Sequence, residues 1–146
     1  GDTGGMTPLL LQYTLGSNFM PPGIHAGGLR YHGVASLVAH LLHEGAIRAV
    51  ACRQNPVFEA GLLFAKAEGL LPAPESCHAI RVAVDEALKC RETGESKAIL
   101  FCLSGHGHFD MTAYDTYLRG ELVDHELPES EIQAAKEGLP KMASLG

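Results

Sequence analysis

Six consecutive apolar residues, Ala98-Ile-Leu-Phe-Cys-Leu103, run directly into Ser104-Gly105-His106-Gly107, and no other stretch restricts the fold of this chain as much. An apolar run of that length without polar alternation fits a strand covered on both faces, as in a mostly parallel sheet with helices above and below it. Residues 46–52 form a second short, β-compatible stretch. Between these lie helical patterns. Val34, Leu37, Val38, Leu41 and Leu42 predict an amphipathic helix stopped by Gly45. Asn55-Pro56 offers a cap and a first-turn proline for a helix with Phe58, Leu62 and Ala65 on its apolar face, ending before Gly69. Pro72 and Pro74 open another, with Cys77, Ile80, Val84, Ala87 and Leu88 on one face, Glu75 in its first turn, and Gly94 at its stop. Asp110 can cap a helix carrying Tyr114 and Leu118, and residues 129–138 read as a short acidic helix. Strands alternating with helices in this way predict a layered α/β architecture, a mostly parallel sheet flanked by helices, within the single domain that 146 residues suggest.

The chain divides by composition into a glycine-rich irregular segment at 1–33, an α/β core at 34–120 and an acidic tail at 121–146. Residues 1–33 hold 8 of the 17 glycines and three prolines, with Asp2 and Arg30 as their only charges, so they are neither a periodic helix nor a solvated linker. Uncharged irregular backbone needs polar partners where it is buried, which points to packing against another part of a larger protein. The start at Gly1 rather than Met agrees with a piece of a longer chain. An excess of acidic over basic residues, 17 to 11, with no block of Lys and Arg, argues against a nucleic-acid partner. No apolar run approaches the roughly 20 residues of a membrane span, and Asp2 stands where a secretory signal would carry positive charge; the expectation is a cytoplasmic protein. Cys52, Cys77, Cys90 and Cys102 form no C-x-x-C pair and lie in apolar patterns, as reduced core thiols would.

Four places could carry chemistry. Ser104-Gly105 sits where ligands bind in open α/β sheets, beyond the carboxyl end of a strand, and a small hydroxyl beside glycine lets a flat ligand approach the backbone; a plain tight turn would use the same residues. His106-Gly-His108-Phe-Asp110 has the spacing of a metal site at a strand end, with His25, His32 and His78 as further imidazoles, although no carboxylate cluster stands beside it. Glu75 either complements its helix dipole or projects a fixed carboxylate from the stiff Pro72-Ala73-Pro74 approach. Arg30 lies between glycines in a nearly uncharged stretch; if buried it needs an anion, either a structural carboxylate or a bound carboxylate or phosphate.

Joined in order, these segments resemble a known family. Ala67-Glu-Gly-Leu-Leu-Pro-Ala-Pro-Glu-Ser-Cys-His-Ala79 followed by Leu100-Phe-Cys-Leu-Ser-Gly-His-Gly107 is similar to the C-terminal part of the tryptophan synthase β subunit. Gly1-Asp-Thr-Gly-Gly-Met-Thr-Pro8 and His25-Ala-Gly-Gly-Leu-Arg-Tyr-His-Gly33 look closer to its second, β-like branch. The resemblance runs from Gly1 to about Pro128 and implies the C-terminal part of the pyridoxal-phosphate fold of that family. The intact enzyme would make L-tryptophan from indole and L-serine or O-phosphoserine by β-replacement. It would act as a cytoplasmic homodimer that includes an N-terminal portion upstream of this chain.

By the same resemblance Ser104 would hydrogen-bond the cofactor's pyridine nitrogen, with Gly105 beside it, and Glu75 would assist elimination and indole attack. Arg30 stands where the main branch has an aspartate that contacts the substrate hydroxyl, which suggests an anionic leaving group, and His32 replaces a proline. Backbone carbonyls of Tyr31 and Gly33 would help hold a monovalent cation, K+ or Na+. Cys102 stands where relatives often have asparagine. The family's cofactor-bearing lysine and its G-G-G-S-N phosphate loop have no counterpart here; Lys66, Lys89, Lys97, Lys136 and Lys141 stand at other positions. The chain alone is therefore expected to be catalytically silent, and the alternative is a non-catalytic fragment or interaction domain of the same fold.

Overall fold

A computed structural model describes residues 11–139. Five helices occur in it: α1 (Ser36–His43), α2 (Gln54–Glu68), α3 (Pro74–Thr93), α4 (Met111–Leu118) and α5 (Glu129–Glu137). Short 3-10 turns lie at Gly27–Arg30 and Gly107–Phe109. The helix stops follow the glycines. Gly69 and Gly94 close α2 and α3 in the left-handed region, at φ of 72° and 71°, each returning its N–H to a carbonyl four residues back. None of the described helices is long and apolar enough to cross a membrane.

Contacts divide the described residues into two compact units, one of residues 23–29 and 51–125 and the other of residues 11–22, 30–50 and 126–139. The first is built on α2 and α3, which pack along each other. Its core joins Val57 and Phe58 of α2, Cys77 of α3, Ala113 and Tyr114 of α4, and Leu122. Phe58 meets Tyr114 edge-on at 5.0 Å and stacks on Tyr117 at 5.8 Å. Gly61 allows the close approach of α2 to α3, since a Cβ there would fall 2.5 Å from Cys77 Sγ. The start of α2 differs from the expected Asn55 cap. The helix begins at Gln54, and the Asn55 N–H is received by Asp124 Oδ1 at 3.0 Å while Asn55 Nδ2 donates to the Leu122 carbonyl. Buried Gln54 adds a bridge, accepting from the His25 N–H and donating to the Val123 carbonyl, both at 2.8 Å. A segment nearly 70 residues downstream thus completes the first turn of α2.

In the other unit, His32 Nδ1 lies 3.0 Å from Thr14 Oγ1, and Phe19 meets the His32 ring edge-on. α1 buries Ala39, while Leu37, Val38 and Leu41 stand exposed. An open, apolar hollow of about 370 Å³ lies against it, lined by Leu11, Tyr13, Ala39, His40 and His43.

The described residues contain no strand, so they do not themselves form the mostly parallel sheet that the sequence predicts. Residues 46–52 and 98–103 run without ladder partners, with Val50 55% and Leu100 98% exposed. A strand holds its form through hydrogen bonds and side chains of neighbouring strands, and an apolar run lacking neighbours has no reason to settle into a ladder. Cys102, expected in the core, is exposed for the same reason; Cys77 is buried, and Cys52 and Cys90 are half-buried free thiols.

Candidate active site

The predicted site residues of the first unit converge on the first turn of α3. Pro74 sits at the start of that helix, where a missing N–H costs nothing, and both Pro72 and Pro74 are fully buried. The approach to α3 is pinned from the other side by residues 106–107. Gly107 donates its N–H to the Leu71 carbonyl at 2.8 Å, and Pro72 and His106 form an isolated antiparallel bridge. Glycine is required at 107, because a Cβ would stand 2.6 Å from the Pro72 carbonyl oxygen and 2.9 Å from the Tyr114 ring. Tyr114 completes the bracket by donating its hydroxyl to the same Pro72 carbonyl at 2.6 Å, with Cys77 Sγ 3.3 Å from that hydroxyl. Burial pushes the Tyr114 hydroxyl and the Cys77 thiol up from their ordinary ionisation ranges, so both stay protonated as hydrogen-bonding core groups.

From this fixed turn two consecutive side chains reach different loops. Glu75 is half-buried and accepts the Gly28 N–H on Oε1 at 2.9 Å. Gly28 has room for little else, since a Cβ there would lie 3.3 Å from that oxygen. Ser76 is buried; its hydroxyl donates to the Ser104 carbonyl and accepts the Ser104 N–H at 3.2 Å. Nothing in the spacing alone singles out Ser76; the one sequence signal is a small hydroxyl directly after the first-turn glutamate.

Ser104 itself is exposed, and its hydroxyl has no protein partner among the described residues. Gly105 follows at φ +77°, where a side chain would be strained and a Cβ would press on Ala73 at 3.3 Å. The result is an outward hydroxyl beside bare backbone, on a loop whose peptide is held from behind. That arrangement leaves a flat ligand room to approach the backbone beside one neutral hydrogen-bonding group.

The remaining predicted residues behave differently. Arg30 ends the 3-10 turn Gly27–Arg30 and is exposed, without an ion pair among the described residues; the buried structural pair considered from the sequence does not form there. Tyr31 is 75% exposed, its ring stacked on His32, and Gly33 lies against the Tyr31 ring. His106 and His108 sit together at 4.6 Å between rings, but His106 Nδ1 accepts the His108 N–H. No group of three or more His, Cys, Asp or Glu able to hold a metal occurs among the described residues, so the His106, His108 and Asp110 metal site has no support in the geometry. Lys89 and Lys97 pair with Glu86 and Glu95.

No protein-family model matches the chain. Individual proteins do. It is 64% identical over 124 residues to the tryptophan synthase beta chain 2 of Aquifex aeolicus, covering 85% of this chain and 29% of that protein. The tryptophan synthase beta chain 2 of Methanothermobacter thermautotrophicus is 61% identical over 122 residues, or 84% of this chain and 28% of its own length. The tryptophan synthase beta chain of Thermococcus onnurineus is 52% identical over 129 residues, 88% of this chain and 29% of that protein. The chain thus spans less than a third of the length of the curated relatives it matches. Over the stretch that it spans, the chain belongs with the tryptophan synthase β chains, on the branch named β chain 2.

Proposed function

We propose that this chain is the C-terminal part of a pyridoxal-phosphate-dependent enzyme that makes L-tryptophan from indole and L-serine or O-phosphoserine by β-replacement. The observation that carries the reading is the 52–64% identity to tryptophan synthase β chains over most of this chain. Bound pyridoxal phosphate would supply the electron sink for bond changes at the substrate's α and β carbons. Ser104 would hold the cofactor's ring nitrogen, with Gly105 beneath the ring edge; its unpartnered hydroxyl and the bare backbone beside it fit that group. A serine hydroxyl, unlike a carboxylate, does not favour protonation of that nitrogen.

Glu75 would work on the substrate with its second carboxylate oxygen, since Oε1 is already held by the Gly28 N–H. A carboxylate fixed at one oxygen delivers or takes a proton from a defined direction at the other. Arg30, exposed and without a carboxylate partner among the described residues, would receive the leaving group, and its planar fork suits phosphate. Carbonyls of Tyr31 and Gly33 would contribute to a K+ or Na+ site. Residues 46–52 and 98–103 would become strands of the parallel sheet when the remaining two thirds of the enzyme supply their neighbours. The same remainder would provide the cofactor-bearing lysine and the phosphate loop, so the 146-residue chain alone is inactive, and the whole enzyme is a cytoplasmic homodimer.

The test uses the full-length protein. It should bind pyridoxal phosphate with a visible absorbance band and form tryptophan from indole. With Arg30→Ala, the rate on O-phosphoserine should fall relative to that on serine. Absence of cofactor uptake overturns the enzyme reading, and an unchanged substrate ratio removes Arg30 from it.

A further inference from the structure

Resting on that reading, we infer that Ser76 is a positioning residue: its buried hydroxyl clamps both backbone polar groups of Ser104 and thereby sets where the Ser104 side chain stands against the cofactor ring. Ser76 is 4% exposed, and its single hydroxyl gives its proton to the Ser104 carbonyl while taking the Ser104 N–H. A hydroxyl has one proton to give, and this one is given. Ser76 is therefore not available to donate to cofactor or substrate, and acts through Ser104.

The clamp matters because the Ser104 peptide adjoins Gly105, at φ +77° and of the residue type with the widest backbone freedom, and Ser76 meets both polar groups of Ser104. Ser76, by contrast, stands on a turn fixed by two buried prolines and by the Tyr114 and Gly107 bonds to the segment ahead of it. The rigid element thus imposes its geometry on the loop that carries the working hydroxyl. A loss of the clamp frees the Ser104 peptide to shift, and misplacement of about 1 Å in a reacting site costs roughly a hundredfold in rate.

The experiment compares the full-length parent with Ser76→Ala, Ser76→Cys, Ser76→Thr and Ser104→Ala. Readouts are pyridoxal phosphate titration of the apo-protein by absorbance, amide exchange at residues 103–105, and kcat and KM for serine. Ser76→Ala should weaken cofactor binding about tenfold, shift the bound absorbance band, speed exchange at Ser104 and lower kcat far more than it changes KM. Ser76→Thr, which keeps the hydroxyl, should restore the band. Combining Ser76→Ala with Ser104→Ala should add almost nothing to Ser104→Ala alone, because the two act as one unit.

If Ser76→Ala does not fold, Ser76→Cys keeps the volume and weakens the bonds, and the same spectra decide. Either variant, folded and with parental cofactor affinity and absorbance, overturns the inference, as do fully additive losses in the double variant. A parent that takes up no pyridoxal phosphate overturns the enzyme reading beneath it.

Discussion

α1 and α2 carry apolar residues at the same helical spacing and meet opposite fates. In α2, Val57 and Phe58 are 0% and 2% exposed, covered by Cys77 and Tyr114; in α1, Leu37 is 70% and Val38 42% exposed. The pattern specifies which face of a helix is to be buried and is silent about what buries it. For α2 the cover is local, since α3 begins six residues after α2 ends and the intervening Leu71-Pro72 segment is itself bracketed by Gly107 and Tyr114. For α1 no described residue buries Leu37 or Val38, and the open apolar hollow lies on the other side of the helix, against Ser36, Ala39, His40 and His43.

The sharpest way to break this contrast is to make the same kind of cut in both helices. Phe58→Ala should destabilise the chain by about 3–5 kcal/mol in urea unfolding, as loss of a buried aromatic does, whereas Leu37→Ala should stay within about 0.5 kcal/mol. Equal costs would mean that α1 has a cover in solution. Gly61→Ala comes next. On an open helix surface alanine would gain about 1 kcal/mol over glycine, but a Cβ 2.5 Å from Cys77 Sγ should turn that gain into a loss of about 1–3 kcal/mol. A stabilised Gly61→Ala protein would show that α2 and α3 can separate at no cost.

The smallest effect concerns pH. Burial holds the His78 imidazole below its ordinary value of 6.5, partly countered by Glu75, so the unfolded chain takes up a proton more readily than the folded one. His78 therefore leaves stability intact above pH 6.5 and removes some as the pH falls below it. His78→Gln should flatten that limb of the unfolding profile, and an unchanged slope would assign the acid loss to other groups.

Helix ends and the placement of Glu75 and Gly105 were legible because they depend on local chemistry. Gly69, Gly94 and the first-turn Glu75 lie where spacing put them, and Gly105 takes the left-handed turn that its neighbours suggested. What escaped is what depends on distant partners. Asn55 reads as a cap, yet its N–H is served by Asp124; Ser76 reads as a first-turn serine, yet it holds a peptide 28 residues away. The apolar run at 98–103 reads as a buried strand because its composition records a need for neighbours; Phe101 finds one in Phe64, edge-on at 5.9 Å, but no described strand pairs with the run.

The two contacts of α3's first turn also impose a constraint on chain length. Glu75 and Ser76 are adjacent on a helix, so they point about 100° apart around its axis, one to Gly28 and the other to Ser104. Inserting or deleting a single residue between Pro72 and Glu75 would rotate both by that angle together. No one point substitution elsewhere could then restore both contacts, so this segment should tolerate changes of residue identity far better than changes of length.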